Sequence, residues 1–433
     1  MSDIGYVQRK VEHHLTIDDD GGLAARWRLI GPGLVVAATG VGAADMVATL
    51  VAGSRYGYGL LWAVVVGVVL KIILVEGAGR FTLATGYTIF EGWRSLGRWT
   101  TWYFGPYILI WGFVYGATAM SSSALPLAAL FPSIPLTAWA ILMGLAGFTM
   151  VWFGRYAFFE KITAALVGVM FVTVVGLAVI AAPSLAEMGL GLVPMIPEGG
   201  LMYTLALAGG VGGTITLAAY GYWLREKGWY TPKWMRVMRI DNTAAYVLTG
   251  IFVIAMLVVG AEVVRVAGVA LSAGDAGLLD LHGVLQDEYG SVIGTGFLIG
   301  FWAAAFSSLI GVWNGVSLMF ADFWGNLRGV ESGHPDTRVG GTYFRFYLLW
   351  LTFPPMLLFA LGRPIGLILA YGVLGSLFMP FLAVTLLGLL NGSRIPEEWA
   401  NRLHTNIALG VCAITFIVLG VQQLWETVAG ILG

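Results

Sequence analysis

Apolar runs of roughly 20 residues, separated by short polar stretches, recur along the whole chain. About that length is what an α-helix needs to cross a bilayer. Eleven such spans are predicted, near 29–54, 58–82, 102–130, 135–153, 156–182, 200–224, 240–264, 291–320, 343–361, 365–391 and 405–430. The alternating runs of about ten residues that mark a transmembrane β-barrel are not found. The pattern predicts an all-α polytopic membrane protein. Residues 1–28 read as a polar cytosolic tail with no signal-peptide pattern, 29–391 as the transmembrane core, and 392–433 as a loop with the eleventh span.

Charge sets the orientation. Only 11% of the 433 residues are charged, against about a quarter in a soluble domain, so most of the surface must face lipid. Of the 23 Lys and Arg residues, only Arg55, Arg265 and Arg363 fall in connections assigned to the outside, and Lys71 lies within a span. That bias predicts a cytoplasmic N-terminus and an external C-terminus in the plasma (inner) membrane. A net charge of -1 argues against a nucleic-acid partner, and the single cysteine, Cys412, allows no intrachain disulfide. The external connection 264–290 carries Asp275, Asp280, Asp287 and Glu288 and reads as a solvated loop, the alternative being an acidic lip that raises local cation concentration. No nucleophile constellation, phosphate-binding loop or metal-ligand cluster suggests an enzyme, and no cofactor is expected. The expected partners are the lipid bilayer and a small ion or small-molecule substrate. Nothing in the sequence speaks to oligomeric state.

Two spans break the pattern. Span 1 contains Gly40-Val41-Gly42 followed by a lone carboxylate, Asp45, and span 6 contains Gly210-Val211-Gly212, 170 residues later. Each motif sits mid-span in the first member of a five-span set, near 29–182 and 200–391. Because five is odd, the second set would run through the membrane the opposite way. Glycine-interrupted segments at matching places in inverted repeats point to a secondary transporter's binding site. Unwound backbone is tolerated at that depth only where it lines a cavity or is buried in protein. Close helix packing through small residues would explain either motif alone; the pair at corresponding positions favours a site. The candidate substrate residues are Thr39, Gly42, Asp45, Gly213 and Thr216; for a metal ion the ligands would be Asp45, Gly42 and Thr216. A receptor or scaffold would have no need of two such breaks.

The stretches "GPGLVVAATGVGAADMVATLVAGSRYGYGLLW" in span 1, "FEKITAALVGVMF" in span 5 and "AYGVLGSLFMPFLAVTLLGLLN" in span 10 resemble the Nramp metal-ion transporters. That resemblance covers most of the hydrophobic chain and implies a LeuT-like five-plus-five inverted repeat with helices 1 and 6 broken. It fails where the family's chemistry resides. Typical members have Asp-Pro-Gly-Asn where this chain has Gly42-Ala43-Ala44-Asp45, so the carboxylate has moved to the asparagine's place. Their Met-Pro-His of the sixth span is Thr216-Leu217-Ala218 here. The proton-carrying acids of the third span have no counterpart, and a glutamine of the tenth span is missing near Tyr371 and Gly372.

These exchanges replace soft and borderline ligands by oxygen, which suits hard cations such as Mg²⁺. The resemblance with those changes implies a secondary transporter of a hard divalent cation, Mg²⁺ before Mn²⁺, with weak or no proton coupling. Some Nramp-related branches carry Mg²⁺, although they generally keep the first-span aspartate in its usual place. The alternative is a small organic solute on the same fold, with Tyr220, Tyr222 and Trp223 available to it. Lys71, if it faced the cavity, would oppose cation binding and favour an anion. Glu76 and Arg80 are read as an i,i+4 ion pair. Asp241 and Asn242 are read as capping their own helix or pairing with Arg239. Ser307, Ser308 and Asn314 would line the pathway or bond between helices.

Overall fold

The computed structural model describes residues 31–154, 156–210, 213–265, 276–330, 333–360 and 365–432. The expected tail at 1–28 lies outside the described residues. Every element described is helical. Span 1 is two helices, α1 (Pro32–Thr39) and α2 (Ala43–Tyr56), with Gly40–Gly42 between them. α3 (Leu61–Thr85) and α4 (Ile89–Leu96) follow, then α5 (Arg98–Leu130), α6 (Leu136–Phe153), α7 (Tyr156–Ile180) and the short α8 (Leu185–Leu190). Span 6 is also divided. α9 (Leu201–Leu205) runs into a π-helical turn, Ala206–Gly210; Val211 and Gly212 of the expected motif lie outside the described residues, residues 213–215 are not helical, and α10 (Thr216–Glu226) follows. α11 (Met235–Val259) continues through a second π-turn, Gly260–Val264. After it come α12 (Ala276–Tyr289), α13 (Ser291–Leu327), α14 (Thr342–Ala360), α15 (Ile365–Leu390) and α16 (Leu403–Leu432). Among the described residues, seven helices are long and apolar enough to cross a membrane by length and composition.

Packing places the divided helices at the centre. α1 contacts α7, α10, α11 and α13, while α10 contacts α1, α3 and α13. In α5, α11 and α13, 72% of the apolar window is buried inside the protein, against 22% in α6, so α6 belongs to the periphery. α13 is the central post, buried along most of its length from Phe297 to Phe323.

Three helices, α4, α8 and α12, lie outside the eleven predicted spans. Thr88 and Glu91 form a capping box that starts α4, whose buried face carries Ile89, Phe90 and Trp93. The 264–290 connection, expected to be a solvated loop, is helix over 276–289. Its Leu281, Val284 and Leu285, at i, i+3 and i+4, are buried and α12 packs on α13. Four acids in the surrounding sequence had masked that apolar stripe.

Candidate functional site: two facing helix breaks

The break in span 1 follows from its glycines. At the end of α1 the chain turns through Gly40, and the exposed carbonyls find nearby partners. The Thr39 hydroxyl donates to Val36 O at 2.7 Å, Gly40 N–H to Ala37 O at 3.0 Å and Val41 N–H to Ala38 O at 3.3 Å. Thr39 O accepts from the Ser308 hydroxyl of α13 at 3.0 Å, and Tyr115 lies 3.2 Å from the same hydroxyl. The Gly42 carbonyl accepts from Met46 N–H at 3.2 Å and opens the ladder of α2.

In span 6 the decisive residue is Gly213. Its φ of +95° belongs to the left-handed region that side chains disfavour. A Cβ there would stand 3.2 Å from Gly40 Cα and 3.1 Å from Thr216 Oγ1. The two breaks therefore face each other in backbone contact, and Thr216, the first residue of α10, joins them while 2% exposed. Of the expected site residues, Gly213 and Thr216 are brought to one point, beside the break that ends at Gly42. Thr39 is 6% exposed, but its side chain is bonded within α1. The backbone of Asp45 lies in the first turn of α2; its side chain lies outside the described residues.

The family model described as "Natural resistance-associated macrophage protein-like" matches residues 33–426. The chain belongs to the Nramp family. A relative in Chromohalobacter salexigens, named a divalent metal cation transporter, is 24% identical over 431 residues, 94% of each chain. Among solved structures, this Nramp chain resembles the Eremococcus coleocola manganese transporter with TM-score 0.79 and 16% identity, over 97% of this chain and 92% of that one. A nucleobase-cation-symport-1 family transporter matches at TM-score 0.59 and 14% identity, over 91% of each chain. Together these give a LeuT-like fold and an integral membrane transporter, not an enzyme.

In this Nramp chain further side chains reach the break of span 6 from outside spans 1 and 6, among them Lys71, whose facing the sequence left open. Lys71 of α3 is 1% exposed and donates to Gly213 O at 2.7 Å. Met379 Sδ of α15 lies 4.0 Å from Lys71 Nζ, so a thioether does stand near the breaks, reached from span 10 instead of span 6. A lysine at a helix centre costs roughly 2.5–3.5 kcal/mol on insertion scales; a carbonyl released by unwinding is one partner that offsets this. Only the depth of Lys71 could have signalled this in the sequence.

Polar contacts around the breaks also differ from expectation. Asp241 neither caps its own helix nor pairs with Arg239. Fully buried, it accepts from Gly31 N–H at 2.9 Å, Gly33 N–H at 2.6 Å and the Tyr220 hydroxyl at 2.8 Å. It caps α1 from across the bundle, where a carboxylate is favoured by the amides and dipole of a helix start. Arg239 instead meets Glu76 at 3.0 Å, and Glu76 also forms the expected pair with Arg80 at 3.1 Å. Tyr222 donates to Asp322 at 2.8 Å, Trp223 to Asn314 at 2.8 Å, and Lys227 bridges to Glu160 at 2.6 Å. The aromatic groups of α10 thus spend their polar atoms on neighbouring helices. Ser307 donates to Ala304 O within α13, which leaves Ser308 as the member of its pair that reaches a break. A cavity of about 210 Å³ opens at the end of α10, with Tyr222, Arg225, Glu226, Asp322 and Arg338 in its wall.

Proposed function

We propose that this Nramp-family chain carries a hard divalent cation, Mg²⁺ before Mn²⁺, through a site between the breaks of spans 1 and 6. The observation that carries the reading is the contact of Gly213 with Gly40, which puts two interrupted helices and the Thr216 hydroxyl at one point. Asp45 would supply the carboxylate, Thr216 a hydroxyl and Gly42 a carbonyl, the rest of the ion's shell being water. Such a set suits a cation that keeps several waters and needs only one or two carboxylates. The name of the Chromohalobacter relative, a divalent metal cation transporter, favours the same substrate class. An organic solute is disfavoured because Tyr220, Tyr222 and Trp223 are all engaged by neighbouring helices.

The carrier would sit in the plasma (inner) membrane with its N-terminus in the cytoplasm and its C-terminus outside. Transport would be weakly coupled to protons or not at all. An inside-negative potential contributes about 2.3 kcal/mol per charge per 100 mV, enough to draw a doubly charged ion inward without a second driving ion. Uptake into proteoliposomes tests the reading. Mg²⁺ or Mn²⁺ should enter above the level of empty vesicles, and Asp45→Ala should abolish it. Folded wild-type protein that moves neither ion would refute it.

A further inference from the structure

The function proposed above makes no use of Lys71, although this side chain touches the broken segment of span 6 directly. α3 crosses span 6 very closely at Gly67, where a Cβ would stand 2.7 Å from Leu207 O and 2.8 Å from Ala208 O. Lys71 lies one turn further on the same face of α3. That crossing carries its ammonium to 2.7 Å from Gly213 O, a carbonyl of the unwound stretch. Around the ammonium stand Met379 Sδ at 4.0 Å and the Phe416 ring, its centroid 5.2 Å away. A sulfur lone pair and a ring face both accept a cation. A cavity of about 10 Å³ flanks the site, bordered by Lys71, Tyr246 and Thr249. That is space for about one water.

We propose that the Lys71 ammonium is a tethered cation. It occupies, at the break of span 6, the carbonyl position that a free monovalent cation would otherwise fill. The inference rests on reading the break pair as the transport site, and it adds two consequences. The carrier needs no separately bound monovalent cation to hold the unwound segment, because one is built in. The fixed charge also limits how much further positive charge the site accepts, so Lys71 is a specificity-determining residue for the cation that Asp45 and Thr216 bind.

Thermal denaturation of the purified full chain tests this, with NaCl compared with choline chloride at equal ionic strength. Wild type and Lys71→Arg should melt at the same temperature in both salts. Lys71→Met should melt lower in choline and regain a few degrees in Na⁺, saturating with concentration as a bound ligand does. A monodisperse Lys71→Met protein indifferent to Na⁺ over choline would overturn the proposal. If Lys71→Met is not monodisperse, recovery of its gel-filtration peak by Na⁺ but not choline supports the proposal, and no recovery overturns it. This readout involves no divalent ion. Wild type that fails to carry Mg²⁺ or Mn²⁺ while Lys71→Met gains a Na⁺ response would sink the substrate reading alone. Divalent uptake by wild type with no Na⁺ response in Lys71→Met would sink the tethered cation alone.

Discussion

Asp241 and Thr216 show how single side chains act on the break pair. Asp241 satisfies two amides at the start of α1 and the hydroxyl of Tyr220 on α10. Truncation would leave buried donors without an acceptor, at about 1–3 kcal/mol each. Asp241→Ala should therefore lose about 3 kcal/mol or more of stability, visible as a clear fall in denaturation temperature. Asp241→Asn, which keeps one acceptor oxygen, should lose less. Thr216 is a different case, because its hydroxyl is assigned to the substrate. Thr216→Val keeps shape and burial but removes that oxygen. It should fold normally and raise the KM for Mg²⁺ uptake about tenfold, the equivalent of 1.4 kcal/mol. Thr216→Met would restore a soft ligand and should shift preference from Mg²⁺ towards Mn²⁺ in competition uptake.

At the scale of elements, the two interrupted helices depend on backbone geometry that a side chain would spoil. Gly213→Ala places a Cβ on a residue at φ +95° and 3.2 Å from Gly40 Cα. The left-handed conformation alone costs about 1–2 kcal/mol for an L-residue. The variant should melt lower and lose transport out of proportion to its stability, because the contact between the breaks is what it separates. The break in span 1 was legible in the sequence because Gly40-Val41-Gly42 interrupts an otherwise continuous apolar run, and glycine is a poor helix former; in span 6 the described part of the break is residues 213–215. What was not legible came from across the bundle. Asp241 looked like the cap of its own helix, since local sequence cannot reveal that it faces the start of α1. Met379 comes near Lys71 only because α15 packs against α3, which local sequence does not show. In 276–289 the apolar spacing of Leu281, Val284 and Leu285 was present, but neighbouring acids made the segment read as loop.

For the whole molecule, the all-helical architecture and its broken pair followed from hydropathy, the glycine motifs and the Nramp resemblance, and the match over residues 33–426 agrees with them. Orientation rests on the arginines and lysines alone, and it can be checked with cysteine chemistry. The single native cysteine, Cys412, is buried, so Cys412→Ala gives a clean background. Lys233→Cys and Asp287→Cys, both at exposed positions, should be labelled from opposite sides, the former only after the membrane is opened to reagent and the latter in intact cells. Labelling of both from one side would remove the inverted arrangement that the site requires. The account's central claim is that the substrate ion sits between the two breaks. Anomalous diffraction from Mn²⁺-soaked crystals locates that ion directly. The account predicts a peak enclosed by residues 42–45 and 213–216, within coordination distance of Thr216 Oγ1, and its loss in Asp45→Ala. A Mn²⁺ peak elsewhere in the molecule, with none between the breaks, would contradict it.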